Sequence, residues 1–313
     1  MPVNDFAKSD IIGPVIMERL RRELILPRLV RRMGLADFQG RRNDTINVRV
    51  PTIAHAREYE WRTRNNPIVV DDLEELTIPA VLNRHIYHGY RLTDENLTLD
   101  LFDFSVQVLE PQLITVAENL EAILADTMVN ADYAHPGVTY QEDADSDGAN
   151  FHKAAVDARK VLNDYHVPMN GRVIALGSSV EAAALKEEGF RRANESGSTD
   201  ALRNAIIGNV AGFTVIGNVQ SLPEDFAIAF HPSAFVFANV APVVPSSVTG
   251  VSVAQDGLAM RWIQDYDANH LTDRSVVSSF AGANSVADGR DDHGDLTNEN
   301  VRAVLINFSA AGS

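Results

Sequence analysis

The chain has 313 residues, 45% of them hydrophobic, which is enough to build a full core in one large domain or two smaller ones. It contains no cysteine, which excludes disulfides, thiol catalysis and thiolate metal sites, and no run of eighteen apolar residues, so neither a membrane span nor secretion is predicted. The net charge of −16 would repel nucleic acid rather than bind it.

The N-terminal segment differs from the rest of the chain in charge. Residues 1–42 hold nine basic and five acidic side chains, which leaves 18 basic and 38 acidic residues elsewhere, a balance of −20. The segment also has apolar residues at helical spacing, among them Ile12, Ile16, Leu20 and Leu24, which predicts a helix with a buried stripe. The stripe favours an arm that packs on the acidic surface of a neighbouring copy. A basic arm that contacts nucleic acid and a plain surface helix both stay open.

The next predicted elements are two strands that could pair. Residues 44–54 alternate between apolar and polar as a strand does, and residues 76–92 form a second, longer candidate with Pro79 near its start. Between them lie about twenty highly charged residues around Trp61, more than most connections in compact domains contain. We therefore expect a long two-stranded arm with a charged tip. It should rest on something outside its own domain, because an isolated hairpin is marginally stable.

The longest predicted helix spans residues 103–130. Its apolar residues recur on one face, whereas charged residues such as Glu121 and Asp126 are expected on the rest of the surface. Pro111 predicts either that the regular helix starts there, with Glu110 at or beside the start, or that an initial turn is kinked.

Helices and strands then follow each other in a pattern that predicts a mixed α+β body. A helix is predicted over residues 150–165, and a buried strand over 172–179 leads into a further helix. Residues 187–256 carry short apolar runs punctuated by Gly and Pro, which predicts a compact β-rich subdomain. The last predicted strands are 258–269, paired with 272–283, and the closing strand 301–309.

The acidic loop before the 150–165 helix copies the opening of a calcium-binding loop. The matching residues are Asp143, Asp145, Asp147 and Gly148. Ala154 stands at the twelfth position, where such loops need a bidentate Glu, so no metal site is predicted. Asp147 and its neighbours are instead expected to cap the following helix and to complement its dipole.

Other patterns that carry chemistry are incomplete. Gly212 and Gly217 have the spacing of a phosphate-binding loop, but Asn218 stands where Lys is essential. His85 and His88 lie three residues apart in a predicted strand, which places them on opposite faces and prevents shared metal ligation. We predict packing or interface roles for both histidines, and neither a cofactor nor a catalytic residue for the chain.

The order of these parts resembles that of a known family. A helical N-terminal arm, a long charged hairpin, a long helix, a β-rich insertion and a return of paired strands are similar in order to tailed-bacteriophage major capsid proteins with the Hong Kong 97-type fold. Two strings, GYRLTDENLTLDLFDFSVQVLEPQLITVAENLEAILAD (89–126) and MRWIQDYDANHLTDRSVVSSFAGA (260–283), resemble actinobacteriophage capsid proteins of the Salmonella phage coat-protein group. The chain is too short for the inserted domain of that coat protein, so no role of that domain is carried over.

The resemblance implies a division of the chain into four parts. These are an N-arm over residues 1–43, an extended hairpin or E-loop over 44–98, a peripheral domain over 99–186 and 257–313 with the long helix as its spine, and an axial domain over 187–256.

The resemblance also implies a structural function without enzymatic activity. Many copies would form pentamers and hexamers that close an icosahedral shell around double-stranded DNA, without sequence-specific binding of that DNA or any contact with a membrane. Shells would assemble in the bacterial host cytoplasm on a scaffolding protein, carry a portal and possible decoration proteins, and end as the virion capsid. Two alternatives stay open: an encapsulin-like cargo compartment, and a soluble hydrolase or binding protein with an unrecognised site.

Two inter-subunit contacts follow from this interpretation. At the E-loop tip, charged residues flank one aromatic side chain, and the set comprises Arg57, Glu58, Trp61, Arg62 and Arg64. In the peripheral domain, the turn between the late strands carries Asp265, Asp267, Asp273 and Arg274, for which we expect salt bridges near three-fold positions. The alternative for the E-loop tip is an exposed loop that makes no contact. The alternative for the turn is that its charged residues only face solvent.

Covalent joining of subunits is not expected. Some proteins of this fold link a hairpin lysine to a neighbour's asparagine, which needs an amine nucleophile. The four lysines of this chain, Lys8, Lys153, Lys160 and Lys186, all lie outside the predicted hairpin. The arginines that replace them stay protonated and can only form ion pairs.

Overall fold

A computed structural model of the chain describes residues 16, 24–34, 45–50, 58, 59, 61, 62, 67, 68, 70, 76–93, 104–142, 150–187, 206–217, 219–255, 257–270, 272–289 and 297–310. The α-helices in these ranges are α1 (Glu110–Val129), α2 (Phe151–Asp164) and α3 (Ser178–Lys186). The strands are β1 (Arg31–Met33), β2 (Thr45–Val50), β3 (Leu76–Val81), β4 (Arg84–Thr93), β5 (Val138–Gln141), β6 (Val173–Leu176), β7 (Ile206–Val210), β8 (Phe213–Ile216), β9 (Phe226–Phe230), β10 (Phe235–Val240), β11 (Thr249–Gln255), β12 (Leu258–Asp267), β13 (Thr272–Ser285) and β14 (Ala303–Ser309).

The first sheet has the strand order β1-β10-β13-β12-β11, with β4 added alongside β13. Strands β12 and β13 run antiparallel from the pair Arg261↔Ser278 to the pair Asp267↔Thr272. The predicted late strand pair and its turn are therefore confirmed. Strand β13 continues beyond this pairing to bond with β10, so it is the central strand of the sheet.

The long helix α1 packs on this first sheet. It begins at Glu110 with Pro111 in the first turn, where a missing N–H breaks no helical hydrogen bond, and a π-helical segment, Ser105–Leu109, precedes it. The regular helix therefore starts at the predicted position, and an irregular helical turn precedes it. The predicted apolar stripe is buried in one cluster with side chains of β10, β12 and β13, and this burial is the main force that holds helix and sheet together.

A buried polar triad fixes the position of α1 on the sheet. The Gln112 side-chain nitrogen donates to the backbone oxygen of Ser275 (2.7 Å), and the Ser275 hydroxyl donates to Gln112 Oε1 (2.7 Å). The Trp262 indole N–H donates to the same hydroxyl (2.9 Å). All three side chains are buried, so each hydrogen bond satisfies a group that has no access to water.

The second sheet has the order β5-β14-β9-β6-β8-β7 and is covered on both faces. Val173 and Ala175 of β6 face the core formed by α1, whereas Ile174 and Leu176 face a second core with α2 and α3. Because side chains alternate between the faces of a strand, a strand buried on both sides must be apolar throughout. This explains the continuous apolar sequence that predicted a buried strand here.

The strands of residues 187–256 divide between the two sheets. Strands β7, β8 and β9 belong to the second sheet, and β10 and β11 belong to the first. The segment is rich in strands as predicted, but the expectation that they form a compact subdomain of their own is wrong. Strand β11 pairs with β12, which follows it directly, but the partners β6, β13 and β14 of the other strands lie far away in the sequence. Local apolar runs do not specify such distant pairing.

The predicted hairpin begins as expected. Strands β2 and β3 pair antiparallel from Thr45↔Val81 to Val50↔Leu76, which confirms that the two segments pair. The predicted single strand 76–92 is broken at Leu82, because β3 pairs with β2 whereas β4 pairs with β13 of the first sheet. The hairpin base rests on this sheet: Ile78, Ala80 and Leu82 pack with apolar residues of β10.

The cap of α2 differs from the prediction. The side-chain oxygen of Asn150 accepts a hydrogen bond from the backbone N–H of Lys153 at 2.9 Å, so Asn150 is the N-cap residue. Asp147, for which capping was predicted, lies outside the described residues, as do Asp143, Asp145 and Gly148.

No helix in the described ranges has the length and apolar character needed to cross a membrane.

Candidate inter-subunit surfaces

The hairpin tip presents apolar side chains to solvent. Trp61 is 65% exposed, and the Arg62 guanidinium lies over its ring, 5.0 Å from the ring centroid. An exposed cation–π contact of this kind contributes about 0.5–1 kcal/mol. Glu58 is also exposed, whereas Arg57 and Arg64 lie outside the described residues. Where the structure describes the tip, its charged and aromatic residues are therefore available for contacts outside the chain.

Two further tip residues were not singled out from the sequence. Ile68 is 71% exposed and Val70 is 80% exposed. The available signal was the short apolar run that begins at Pro67 inside an otherwise charged stretch. Single exposed apolar residues are ordinary, whereas contiguous apolar patches mark binding surfaces, so Ile68 and Val70 are candidates for a contact outside the chain.

The predicted charged residues at the turn between β12 and β13 do come together, with partners in their own chain. The Arg274 guanidinium donates to both oxygens of Asp265, Nε to Oδ1 at 3.1 Å and Nη2 to Oδ2 at 2.5 Å. This forked pair raises the pKa of Arg274 above its ordinary value. Asp273 accepts a hydrogen bond from the Gln264 side chain at 3.0 Å.

Asp267 is held by the turn itself. It accepts hydrogen bonds from the His270 ring (2.8 Å) and from the backbone N–H of Asn269 (3.0 Å), and the bond from His270 is the main cause that lowers its pKa. The turn is thus pre-organised by internal bonds. Salt bridges to other subunits stay a prediction, and Arg274 would have to share its guanidinium with Asp265.

An exposed arginine beside this pair was missed. Arg91 of β4 lies directly opposite Arg274 in the strand register, so both side chains point to the same face of the sheet. Arg91 is exposed, and no carboxylate of a described residue forms an ion pair with it. No local pattern indicates this arginine, because only the pairing of β4 with β13 brings residues 91 and 274 together.

Two residues of the predicted N-terminal stripe are held by their own chain. Ile16 and Leu24 are completely buried in the core formed around α1, so the expected packing on a neighbour is wrong for these two residues. Ile12 and Leu20 lie outside the described residues. Glu121, predicted to be on the surface, is buried, and its carboxylate accepts the backbone N–H groups of Ile25 (3.1 Å) and Leu26 (2.8 Å). A buried charge therefore anchors the end of the segment to α1.

The histidines of β4 lie on opposite faces of the strand, as predicted. The His85 ring packs at a tilt against Phe280 with ring centroids 4.5 Å apart, and burial, followed by the charge of Arg261, lowers the pKa of His85. His88 instead contacts Tyr90 edge-on at 4.7 Å. Within the described part of the chain, no group of three or more His, Asp or Glu residues could hold a metal ion.

Comparison with known proteins shows which fold this is. No protein-family profile and no curated protein sequence matches the chain. Solved structures do match. A structure from Mycobacterium phage Che8 has 17% identity and a TM-score of 0.58, and the match covers 90% of both chains. The capsid of cyanophage P-SCSP1u has 10% identity and a TM-score of 0.56, and the match covers 90% of this chain and 86% of that one. The chain has the Hong Kong 97-type capsid fold. A virus-like particle from Pyrococcus furiosus is also similar, with 10% identity, a TM-score of 0.50 and coverage of 96% of this chain and all of that one.

The capsid fold confirms the α+β class expected from the sequence. At these identities the likeness concerns the fold, and no residue role follows from it. The contacts of the hairpin tip and of the turn at residues 268–271 must therefore be argued from this chain's own residues.

Proposed function

We propose that the chain is the major capsid protein of a tailed phage, a structural subunit that assembles as pentamers and hexamers into an icosahedral shell around double-stranded DNA. The observation that carries this proposal is the likeness to phage capsid structures over about nine tenths of both chains. At this coverage, little of the chain lies outside the shared fold. The proposed role depends on repeated contacts and not on catalytic turnover.

Exposed features of the chain fit such a role. A contact repeated around five-fold and six-fold axes is heterologous, so each subunit must present a projection that fits a different surface of the next. Between the paired strands β2 and β3, the described residues Trp61, Ile68 and Val70 are exposed and could form such a contact. The negative net charge of the residues outside the N-terminal segment suits a protein that encloses DNA without binding it tightly.

The fold suggests an assignment of the parts. We assign the first sheet with α1 to the peripheral domain, and the second sheet with α2 and α3 to the axial domain. The names N-arm for residues 1–43 and E-loop for 44–98 are kept. This assignment departs from the sequence boundaries, because β5, β6 and β14 join β7, β8 and β9 in one sheet. A scaffolding protein, a portal, possible decoration proteins, assembly in the host cytoplasm and a place in the virion capsid belong to the same proposal.

The second candidate is a cargo compartment, and the likeness to the Pyrococcus furiosus virus-like particle favours it. Negative-stain electron microscopy of the purified protein, alone and with polyethylene glycol as a crowding agent, separates the candidates. Closed shells large enough for a phage genome support the capsid proposal. Small shells that contain protein support the compartment, and a protein without shells in both conditions supports a soluble enzyme or binding protein.

The hairpin tip is tested by the double variant Trp61→Ala with Arg62→Ala. If the tip lies on a neighbouring subunit, this variant lowers shell yield and the temperature at which shells dissociate, because an aromatic anchor and its cation are lost. The matched control is Met169→Ala, another exposed apolar residue, which lies outside the hairpin. Equal yields and dissociation temperatures for all three proteins would count against a contact at the tip.

The peripheral contact is tested in a shell map. We expect Arg274 to approach a carboxylate of another subunit while it keeps Asp265. A map in which Arg274 contacts Asp265 alone would reject this contact.

A further inference from the structure

The loop between α2 and β6 contains the one Asn-Gly pair of the chain, Asn170 and Gly171. Both residues are exposed and belong to no helix or strand. Gly171 has a φ of +79°, which residues with a side chain rarely adopt, and open space lies where a Cβ would stand. The Asn170 side chain can therefore approach the backbone nitrogen of Gly171 without meeting a neighbouring side chain.

The two reacting groups are not held by other bonds. Within the described residues, neither the Asn170 side-chain amide nor the Gly171 N–H forms a hydrogen bond. Asn163, at the end of α2, differs in this respect, because its side-chain oxygen accepts from the Arg172 guanidinium at 2.9 Å. An exposed side chain without partners passes freely between its rotamers. Asn170 can thus turn its side-chain carbon towards the Gly171 nitrogen without losing a contact.

A positive charge lies close to this pair along the chain. Arg172 is buried, and its guanidinium donates to uncharged oxygens, among them the backbone oxygens of Pro168 (2.9 Å) and Val167 (2.6 Å). Its described hydrogen-bond partners include no carboxylate. A negative charge that develops near Arg172 is therefore favoured by attraction to a cation that no acidic partner neutralises.

The His231 ring reaches the peptide bond that joins the two residues. Burial, followed by the charges of Arg302 and Arg172, lowers the pKa of His231, and a hydrogen bond to the backbone of Asn170 opposes this lowering. The Nδ1 atom of His231 accepts the N–H of Ser233 at 3.2 Å, so the proton of the neutral ring is on Nε2, which donates to the Asn170 backbone oxygen. When the Gly171 nitrogen loses its proton, that oxygen carries much of the negative charge. The His231 donor therefore favours the loss.

We propose that Asn170 is a site of spontaneous modification, at which the side-chain amide becomes a carboxylate through a cyclic imide with the Gly171 nitrogen. After a solvent base removes the Gly171 amide proton, the nitrogen attacks Cγ of Asn170. The bond from Cγ to the side-chain nitrogen breaks, and that nitrogen takes up a proton and leaves as ammonia. Water then opens the imide at either carbonyl carbon, which gives aspartate or isoaspartate.

The reaction needs water as its one co-reactant, and neither an oxidant nor a cofactor takes part. Each conversion adds one negative charge two residues before Arg172. The inference does not rest on the proposed function, because the folded subunit by itself holds all the groups that react.

The test follows the purified, unsubstituted chain during incubation for days at neutral and at mildly alkaline pH. Trypsin cleaves after Lys160 and Arg172, so one peptide, residues 161–172, contains both Asn163 and Asn170. Fragmentation in the mass spectrometer then assigns the mass increase from NH2 to OH to one of the two residues. Asn269, an exposed asparagine in the turn between β12 and β13 that precedes His270, is the control for exposure alone.

The expected result is conversion at Asn170 at least several-fold faster than at Asn163 or Asn269, with aspartyl and isoaspartyl products and a faster rate at alkaline pH. Asn170→Gln should abolish the modification of this peptide and the corresponding acidic band in isoelectric focusing. Conversion at Asn170 that is absent, or no faster than at Asn269, overturns the proposal without recourse to any variant.

Two substitutions test the His231 donor. His231→Asn keeps an acceptor for the N–H of Ser233 but is too short to reach Asn170, so conversion should slow several-fold. His231→Gln places an amide N–H near the position of Nε2 and should restore much of the rate. Circular dichroism checks that both variants fold like the unsubstituted chain. Equal rates in all three folded proteins overturn the role of His231.

Discussion

The triad of Gln112, Trp262 and Ser275 makes a quantitative prediction about subunit stability. In Ser275→Ala the indole N–H of Trp262 and the side-chain oxygen of Gln112 lose their partner, while both stay buried. A buried polar group without a partner costs about 1–3 kcal/mol, so two such groups lower the free energy of unfolding by roughly 2–5 kcal/mol. Ser252→Ala, an exposed serine on β11 of the same sheet, is the control and should change it by about 0.5 kcal/mol or less.

A double-mutant cycle isolates the contribution of the indole. In a Trp262→Phe background the indole N–H is absent, so Ser275→Ala leaves one unpaired group and costs about half as much. The coupling energy between the two substitutions should be about 1–2 kcal/mol. Urea unfolding of unassembled subunits, followed by far-UV circular dichroism, measures all four proteins. A Ser275→Ala loss below about 1 kcal/mol, or effects that simply add, would refute this account of the triad.

Three further predictions concern anchoring, pH and covalent chemistry. Glu121→Ala should lower the free energy of unfolding by roughly 2–5 kcal/mol and speed hydrogen exchange of the Leu26 amide. Glu121→Gln keeps an acceptor and should have a smaller effect. Unchanged exchange of the Leu26 amide would contradict the anchoring role of Glu121. The pKa of His231 lies below its ordinary value of 6.5, mainly through burial and then through nearby arginines, and its Nδ1 accepts the N–H of Ser233. The neutral ring is therefore the folded form, and its stability contribution is present above pH 6.5 and is lost as the pH falls below that value. His231→Asn keeps an acceptor and should weaken this dependence in unfolding measured at several pH values; an unchanged dependence would be the contrary result. Because residues 44–98 contain no lysine, mature shells boiled in detergent should run as one band at monomer mass, and a covalent ladder would contradict this.

Much of the candidate site could be predicted from sequence, but its partners could not. The charged tip and the cluster at the late turn follow from local composition, and the structure places Trp61 in solvent and joins Asp265 to Arg274. The proximity of Arg91 to Arg274 could not be found in this way. It depends on which strand pairs with β13, and that pairing joins residues about 190 positions apart.

Elements with strong periodicity could be predicted from the amino-acid sequence alone. The apolar stripe of α1 and the continuous apolar run of β6 each reflect how many sides of the element are buried, so their type could be predicted from spacing alone.

How these elements combine depends on contacts between distant parts of the chain. Residues 76–92 satisfy one strand pattern throughout, yet β3 and β4 separate because each finds a different partner strand. Glu121 has the spacing of a surface residue on α1, but the end of the N-terminal segment folds over it and supplies two backbone N–H groups that make its burial favourable. Periodicity reports that a residue has a neighbour or faces water, whereas the identity of that neighbour is set by contacts between distant parts of the chain, which leave no local pattern.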